Sequence, residues 1–121
     1  MSRRFTVEEA DALLPELRER LARIERSRRI VIAGTRRVDA RLQEDGGGVA
    51  DPELFEASRT LRAEVEALNR SGVILRDADA GLIDFPTLRE GEPAYLCWRA
   101  EEPAVAYWHP EDTGFSGRCA L

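Results

Sequence analysis

Apolar residues recur at alternating three- and four-residue steps through Leu14, Leu17, Leu21, Ile24, Val31, Val38 and Leu42. This is the spacing of a coiled-coil seam, and it predicts a long helix from Pro15 to about Gln43. Arg28 and Thr35 occupy two steps of the stripe with polar groups, and Gly34 weakens the helix there by about 1 kcal/mol. Upstream, Thr6 and Glu9 have capping-box spacing, which predicts a short helix from Val7 to about Leu14. Pro15 lacks an N–H and clashes with the preceding turn, so it should kink the helix or begin a new one. After a glycine turn at residues 44–50, Asp51 and Pro52 provide a cap and a first helical residue. The seam then resumes through Leu54, Ser58, Leu61, Val65 and Leu68 to about Arg70, with Gly72 as the C-terminal cap.

These two segments predict an antiparallel helical hairpin with unequal arms of about 43 and 28 Å. Counted outward from the glycine turn, the second arm runs out near Ile24. Leu13, Leu14, Leu17 and Leu21 therefore need another partner, either the second half of the chain or a second copy.

Past Gly72 the period shortens and turn residues multiply. Val73–Asp77, Leu82–Phe85, Ala94–Arg99 and Ala104–His109 read as four short strands of an antiparallel meander. Pro86 is expected to end the second, and residues 87–93 to form a loop. A hairpin tip at Glu101-Glu102 would set Trp98 opposite Val105 and Leu96 opposite Tyr107, with His109 on that face. Tyr95, Cys97 and Trp108 would share the other. Both faces then carry large apolar groups, unlike a sheet with one wet face. Either the tail or a second subunit should cover the face away from the helices, and a homodimer is the expectation. The fold class is α+β: one domain, with a helical hairpin over residues 1–71 packed on a small β-meander and tail over 72–121.

Composition narrows the picture. The chain has 121 residues, 43% of them hydrophobic, and a net charge of −5. No apolar run approaches the roughly 20 residues that cross a bilayer, and the basic start leads into acidic residues rather than an apolar signal region. A cytoplasmic protein is expected. Cys97 and Cys119 do not form a Cys-x-x-Cys pair, and no disulfide is expected. Residues 1–43 hold 11 Arg against 7 acidic residues, and residues 44–121 hold 7 Arg against 16. The favoured reading is attraction between the two halves in a fold or dimer. A nucleic-acid surface is disfavoured, because the arginines scatter around a helix and the protein is acidic.

His109 is the sole histidine and the one side chain whose ordinary pKa lies near neutrality. As a ligand or proton carrier it needs carboxylates, or Cys97, brought close by the fold. Asp77 and Asp84 sit at expected strand ends. Arg99 offers paired donors to an anion, and Glu102 is a further acidic candidate. Cys97, flanked by Leu96 and Trp98, reads first as a core cysteine. Gly114 and Gly117 around Phe115 describe a tight fold over an apolar anchor. There is no phosphate-loop, nucleophile-elbow or zinc-helix motif.

Several segments together resemble one family: Phe5-Thr6-Val7-Glu8-Glu9-Ala10, Leu13-Leu14-Pro15-Glu16-Leu17, Gly81-Leu82-Ile83-Asp84-Phe85-Pro86 and Tyr95-Leu96-Cys97-Trp98-Arg99. Gly72-Val73, Asp77, Glu102-Pro103, Trp108-His109 and Gly114-Phe115-Ser116-Gly117-Arg118 complete the likeness. It is to the bacterial and archaeal family catalogued as domain of unknown function 2203, and it implies no activity. The leading functional reading is a non-enzymatic interaction module, a homodimer whose coiled-coil arm engages another protein. Its assembly residues would be Trp108, Phe115, Leu14, Leu17 and Leu21. The alternative is a small-ligand or metal site, enzymatic or not, built from His109, Asp84 and Arg99 with help from Asp77 or Glu102.

Overall fold

The structure, a computed structural model, describes residues 3–45 and 51–121; of the turn expected at 44–50, Glu44 and Asp45 belong to the first helix instead, and residues 46–50 lie outside the described residues. The first element is a single helix, α1 (Val7–Asp45). The capping box forms as the spacing requires: Thr6 Oγ1 accepts the Glu9 N–H at 3.1 Å, and Glu9 Oε1 accepts the Thr6 N–H at 2.9 Å. Pro15 does not divide the helix, contrary to the sequence expectation. It stands on the exposed face, where water can take up the Asp11 carbonyl left by its missing N–H. On the opposite face Ala10, Leu14, Leu17 and Leu21 are buried along one continuous stripe. Their burial, worth roughly 1.5–3 kcal/mol for each leucine, offsets the cost of the proline.

Helix α2 (Pro52–Ser71) returns antiparallel to α1. Asp51 caps it by accepting the Leu54 N–H at 2.9 Å, and the Gly72 N–H closes it onto Asn69 O. At Gly34 a β-carbon would stand 3.1 Å from the Leu54 side chain, so this residue lets the start of α2 approach α1 closely. Opposite charges tie the arms: Glu64 takes Arg20 at 2.8 Å and Arg23 at 2.7 Å, and Arg37 reaches Asp51 at 3.2 Å. Arg28 pairs with Asp79 in the second half of the chain. The basic and acidic halves thus meet within the fold.

The second half is an antiparallel meander of five strands rather than about four: β1 (Ile74–Asp77), β2 (Leu82–Arg89), β3 (Glu92–Arg99), β4 (Tyr107–Pro110) and β5 (Cys119–Ala120). Strand β2 runs through Pro86 instead of ending there. The Pro86 carbonyl accepts the Phe5 N–H at 2.8 Å, so its nitrogen, too, points away from β3. It points to a stretch where β1 no longer pairs, and no ladder bond is lost. The expected loop at 87–93 is a two-residue turn. Glu90 and Gly91 both have positive φ, 53° and 81°, the signature of the tight hairpin turn that matches strand twist.

The register of β3 against β4 also differs from the expected one. Leu96 pairs with Trp108, Cys97 with Tyr107 and Tyr95 with His109. A one-residue slip moves every side chain to the opposite face. The cause is the connection over residues 100–106, which is longer than a hairpin tip at Glu101-Glu102. It is held by Trp98 Nε1 donating to Glu102 O at 2.9 Å and by the Val105 N–H donating to Asp11 Oδ1 at 2.8 Å. Beyond β4 the tail makes a short turn of 3₁₀ helix at Phe115–Gly117 and returns as β5 against β4.

Between hairpin and sheet lies the core. Leu14, Leu17, Leu21 and Ile24 pack with Phe5, Ile83, Phe85, Leu96, Trp98 and Val105. The apolar stripe left over by the shorter arm is therefore covered by the chain's own sheet. No helix among the described residues is long and apolar enough to cross a membrane.

Candidate functional site on the outer sheet face

Strand alternation puts Leu96, Trp98, Ile83 and Phe85 toward the helices, and it turns Asp84, Cys97, Tyr95 and His109 to the outer face. Asp84 on β2 stands directly opposite Cys97 on β3, and His109 on β4 stands opposite Tyr95. Three adjacent strands thereby bring a carboxylate, a thiol and an imidazole together. One potential ligand atom from each lies within 4.8 Å of the others, and all three residues are buried.

Each group is held by identifiable partners. His109 Nδ1 is 2.8 Å from the carbonyl of Pro110. A carbonyl only accepts, so Nδ1 carries a proton and the ring orientation is set. Nε2 faces Asp84 Oδ2 at 2.9 Å. Arg76 Nε donates to the same carboxylate oxygen at 2.9 Å, and its guanidinium lies 5.1 Å over the Tyr95 ring. The hydrogen bond to Asp84 raises the Arg76 pKa despite partial burial. The other carboxylate oxygen, Asp84 Oδ1, is buried with no hydrogen-bond partner among the described residues. Cys97 is pushed up to about 12, first by burial and then by the neighbouring Asp84 charge, with Arg118 opposing. In this setting it is a thiol, not a thiolate.

A cleft of about 400 Å³ opens beside this cluster, lined by Asp84 and His109 but not by Cys97, which is buried beneath them. Asp84 and His109 lie at its floor, Arg76 and Leu82 on one side, and the tail from Glu111 to Phe115 on the other. The tail is fastened by Arg118, which donates to Glu102 Oε1 at 2.6 Å and to Cys97 O at 3.2 Å and stacks 4.1 Å over Tyr107. The outer face is thus partly covered by the chain's own tail, one of the two expected covers.

Of the residues singled out from the sequence, His109 and Asp84 meet. Arg99 does not join them: it is paired with Glu101 at 2.9 Å and lies beside the Phe115 ring. Asp77 accepts the N–H groups of Asp79 and Ala80 at 2.9 and 3.1 Å, shaping the β1–β2 turn. Glu102 accepts the Arg99 N–H at 2.7 Å and anchors Arg118. Trp108 lies on the helix-facing side with Arg89 4.5 Å over its ring. Leu14, Leu17 and Leu21 are core residues, and Phe115 is exposed between Arg99 and Arg118. His109 does not share a face with Trp98 and Val105 as the expected register had it. It lies with Tyr95 and Cys97, and this brings the thiol into the cluster. Arg76 is a functional residue that the sequence does not reveal, because nothing local to it signals that it will face Asp84 across a strand pair.

Comparison with known proteins places the sequence in one group. The family model described as Uncharacterized conserved protein (DUF2203) matches residues 3–121. No curated protein and no solved structure matches the chain.

Proposed function

We propose, on the premise that this chain belongs to the family of uncharacterized conserved proteins DUF2203, that it is a binding domain whose working site is the outer-face cleft. The observation that carries this reading is Asp84: a buried carboxylate at the floor of a cleft, with one oxygen engaged by His109 and Arg76 and the other sealed from solvent with no hydrogen-bond partner among the described residues. Buried polar atoms are nearly always satisfied, and an orphan sealed just beneath a concavity can gain a partner from a ligand or ion once the side chain turns. The sheet supplies a rigid base, and the tail supplies a wall that ligand contact can order.

The test is thermal unfolding of wild type and Asp84→Asn against a fixed panel of divalent metal ions, inorganic phosphate and short carboxylates. A ligand at a hundredfold its Kd adds about 2.7 kcal/mol, a rise of roughly 10 °C for a domain of this size. The rise should occur in wild type and vanish in Asp84→Asn. Lack of any shift across the panel, together with unmoved amide resonances over Glu111–Phe115, would dispose of the proposal.

A second reading, a homodimer or docking arm, draws on two exposed side chains. Ile32 and Phe55 are 46% and 64% exposed, and the Gly34–Leu54 contact sets them at neighbouring levels of the hairpin. Helical spacing puts Ile32 on the flank of α1 that carries Leu14 and Leu21, one turn past the Arg28 that pairs with Asp79 of the β1–β2 turn. Self-association through this arm predicts a dimer in sedimentation velocity at tens of micromolar that Phe55→Glu converts to monomer. A sharp wild-type monomer removes it.

A further inference from the structure

The outer-face cluster narrows the ligand of the binding domain proposed above. Resting on that reading, we infer that Asp84, Cys97 and His109 bind one zinc-class divalent ion at the floor of the cleft.

The donor chemistry selects the class. Thiolate and imidazole suit zinc and its neighbours, whereas magnesium and calcium take oxygen ligands almost exclusively. The ring of His109 is arranged as metal-bound histidines are. One nitrogen donates to a backbone carbonyl, here Pro110 O at 2.8 Å, and the other is aimed at the remaining donors. Arg76, bonded to Asp84 Oδ2 at 2.9 Å, orients the carboxylate in the same supporting manner. Asp84 Oδ1 has no partner among the described residues, and a bound cation supplies one.

Charge and access agree. Arg76 already offsets the Asp84 carboxylate; a divalent ion supplies the charge that stabilises a Cys97 thiolate, and coordination is what removes the thiol proton from so buried a group. Glu111 and Asp112 line the cleft with Arg76; Arg76 is taken up by Asp84 at 2.9 Å, which leaves the two tail carboxylates to attract an incoming cation. Ligand atoms about 2.0–2.3 Å from a tetrahedral ion stand nearer to one another than the 4.8 Å limit seen here. Side-chain movement of the order of an ångström closes the set. Three protein ligands leave the fourth position of a tetrahedral ion open, and the cleft over Asp84 and His109 is where it would face.

Cobalt(II) is the probe. The chain is stripped with chelator and titrated with Co²⁺ in a Cys119→Ser background, which removes the exposed thiol. Expected are intense visible bands of four-coordinate cobalt and a near-ultraviolet thiolate-to-cobalt band, saturating at one equivalent and bleached by equimolar Zn²⁺. Adding Cys97→Ser should abolish the ultraviolet band and weaken Zn²⁺ binding at least tenfold. Folded Cys119→Ser protein that gives no cobalt spectrum overturns the inference, as does an ultraviolet band that survives Cys97→Ser. If cobalt fails while phosphate or a carboxylate still raises the melting temperature of wild type and not of Asp84→Asn, the ion is lost and the cleft stands. If the whole panel fails, both fall.

Discussion

Glu64 is where the charge asymmetry between the two halves becomes a measurable stability. Its carboxylate, only 13% exposed, bridges Arg20 and Arg23 across the hairpin at 2.8 and 2.7 Å. Burial by itself raises its pKa, but the hydrogen bonds from Arg23 and Arg20, aided by their charges, outweigh it and hold the group below its ordinary 4.5. Glu64→Gln keeps the shape and one acceptor but removes the charge. Hydrogen bonds to charged groups contribute about 1.5–3 kcal/mol against 0.5–1.5 for neutral ones. The charged partners are themselves partly exposed, at 26% and 36%, and this screens the pair. The net loss at pH 7 should be about 1–2 kcal/mol, near 1 M in the urea midpoint.

The sign with pH follows from the depressed pKa. The unfolded state holds the proton more tightly, so the stabilisation is complete above about pH 4.5 and disappears as pH falls through the folded value. Urea unfolding of both proteins at pH 7 and at pH 2.5–3 checks this: the gap should be open at neutrality and nearly closed in acid. A difference that is the same at both pH values, or below about 0.3 kcal/mol at neutrality, would show that the apolar seam alone holds the arms.

Two further outcomes are expected. Gly81 has φ +64°, and a β-carbon there would lie 2.7 Å from that of Ala100, whereas one at Gly91 (φ +81°) would meet nothing within 4 Å among the described residues. Gly91→Ala should therefore cost only the left-handed backbone penalty of about 1–2 kcal/mol, and Gly81→Ala measurably more by thermal unfolding; equal costs would contradict the close approach of the two turns. Cys97 is buried and Cys119 exposed, so a chromogenic disulfide reagent should titrate one thiol per native chain and two after denaturation. Two fast thiols in the native protein would contradict the burial of Cys97.

Local chemistry alone made much of the fold legible. The Thr6–Glu9 box, the Asp51-Pro52 start and the Gly72 end work through neighbours three or four residues away, so their spacing identifies them. The seam of α1 and α2 is likewise a local period. Pro15 and Pro86 are the exceptions: local rules predict a break at each, and α1 and β2 run through them. At Pro15 one buried stripe runs through both sides of the proline. At Pro86 the missing N–H faces a side with no strand to pair.

The candidate site was legible in its residue types and not in its arrangement. His109 and Asp84 stand out as a sole histidine and a strand-end carboxylate. Arg99, Asp77 and Glu102 have equal credentials in sequence, yet they close turns and hold the tail. What separates the two groups is the register of β3 against β4. It is set by a seven-residue connection held locally by Trp98 and anchored on Asp11, a contact between residues 94 apart for which no local spacing gives a sign. One step of that register carries His109 from the side of Trp98 to the side of Cys97. Because side chains alternate along a strand, the pattern determined that Trp108 and His109 part company, and only the tertiary structure decided which of them meets Asp84.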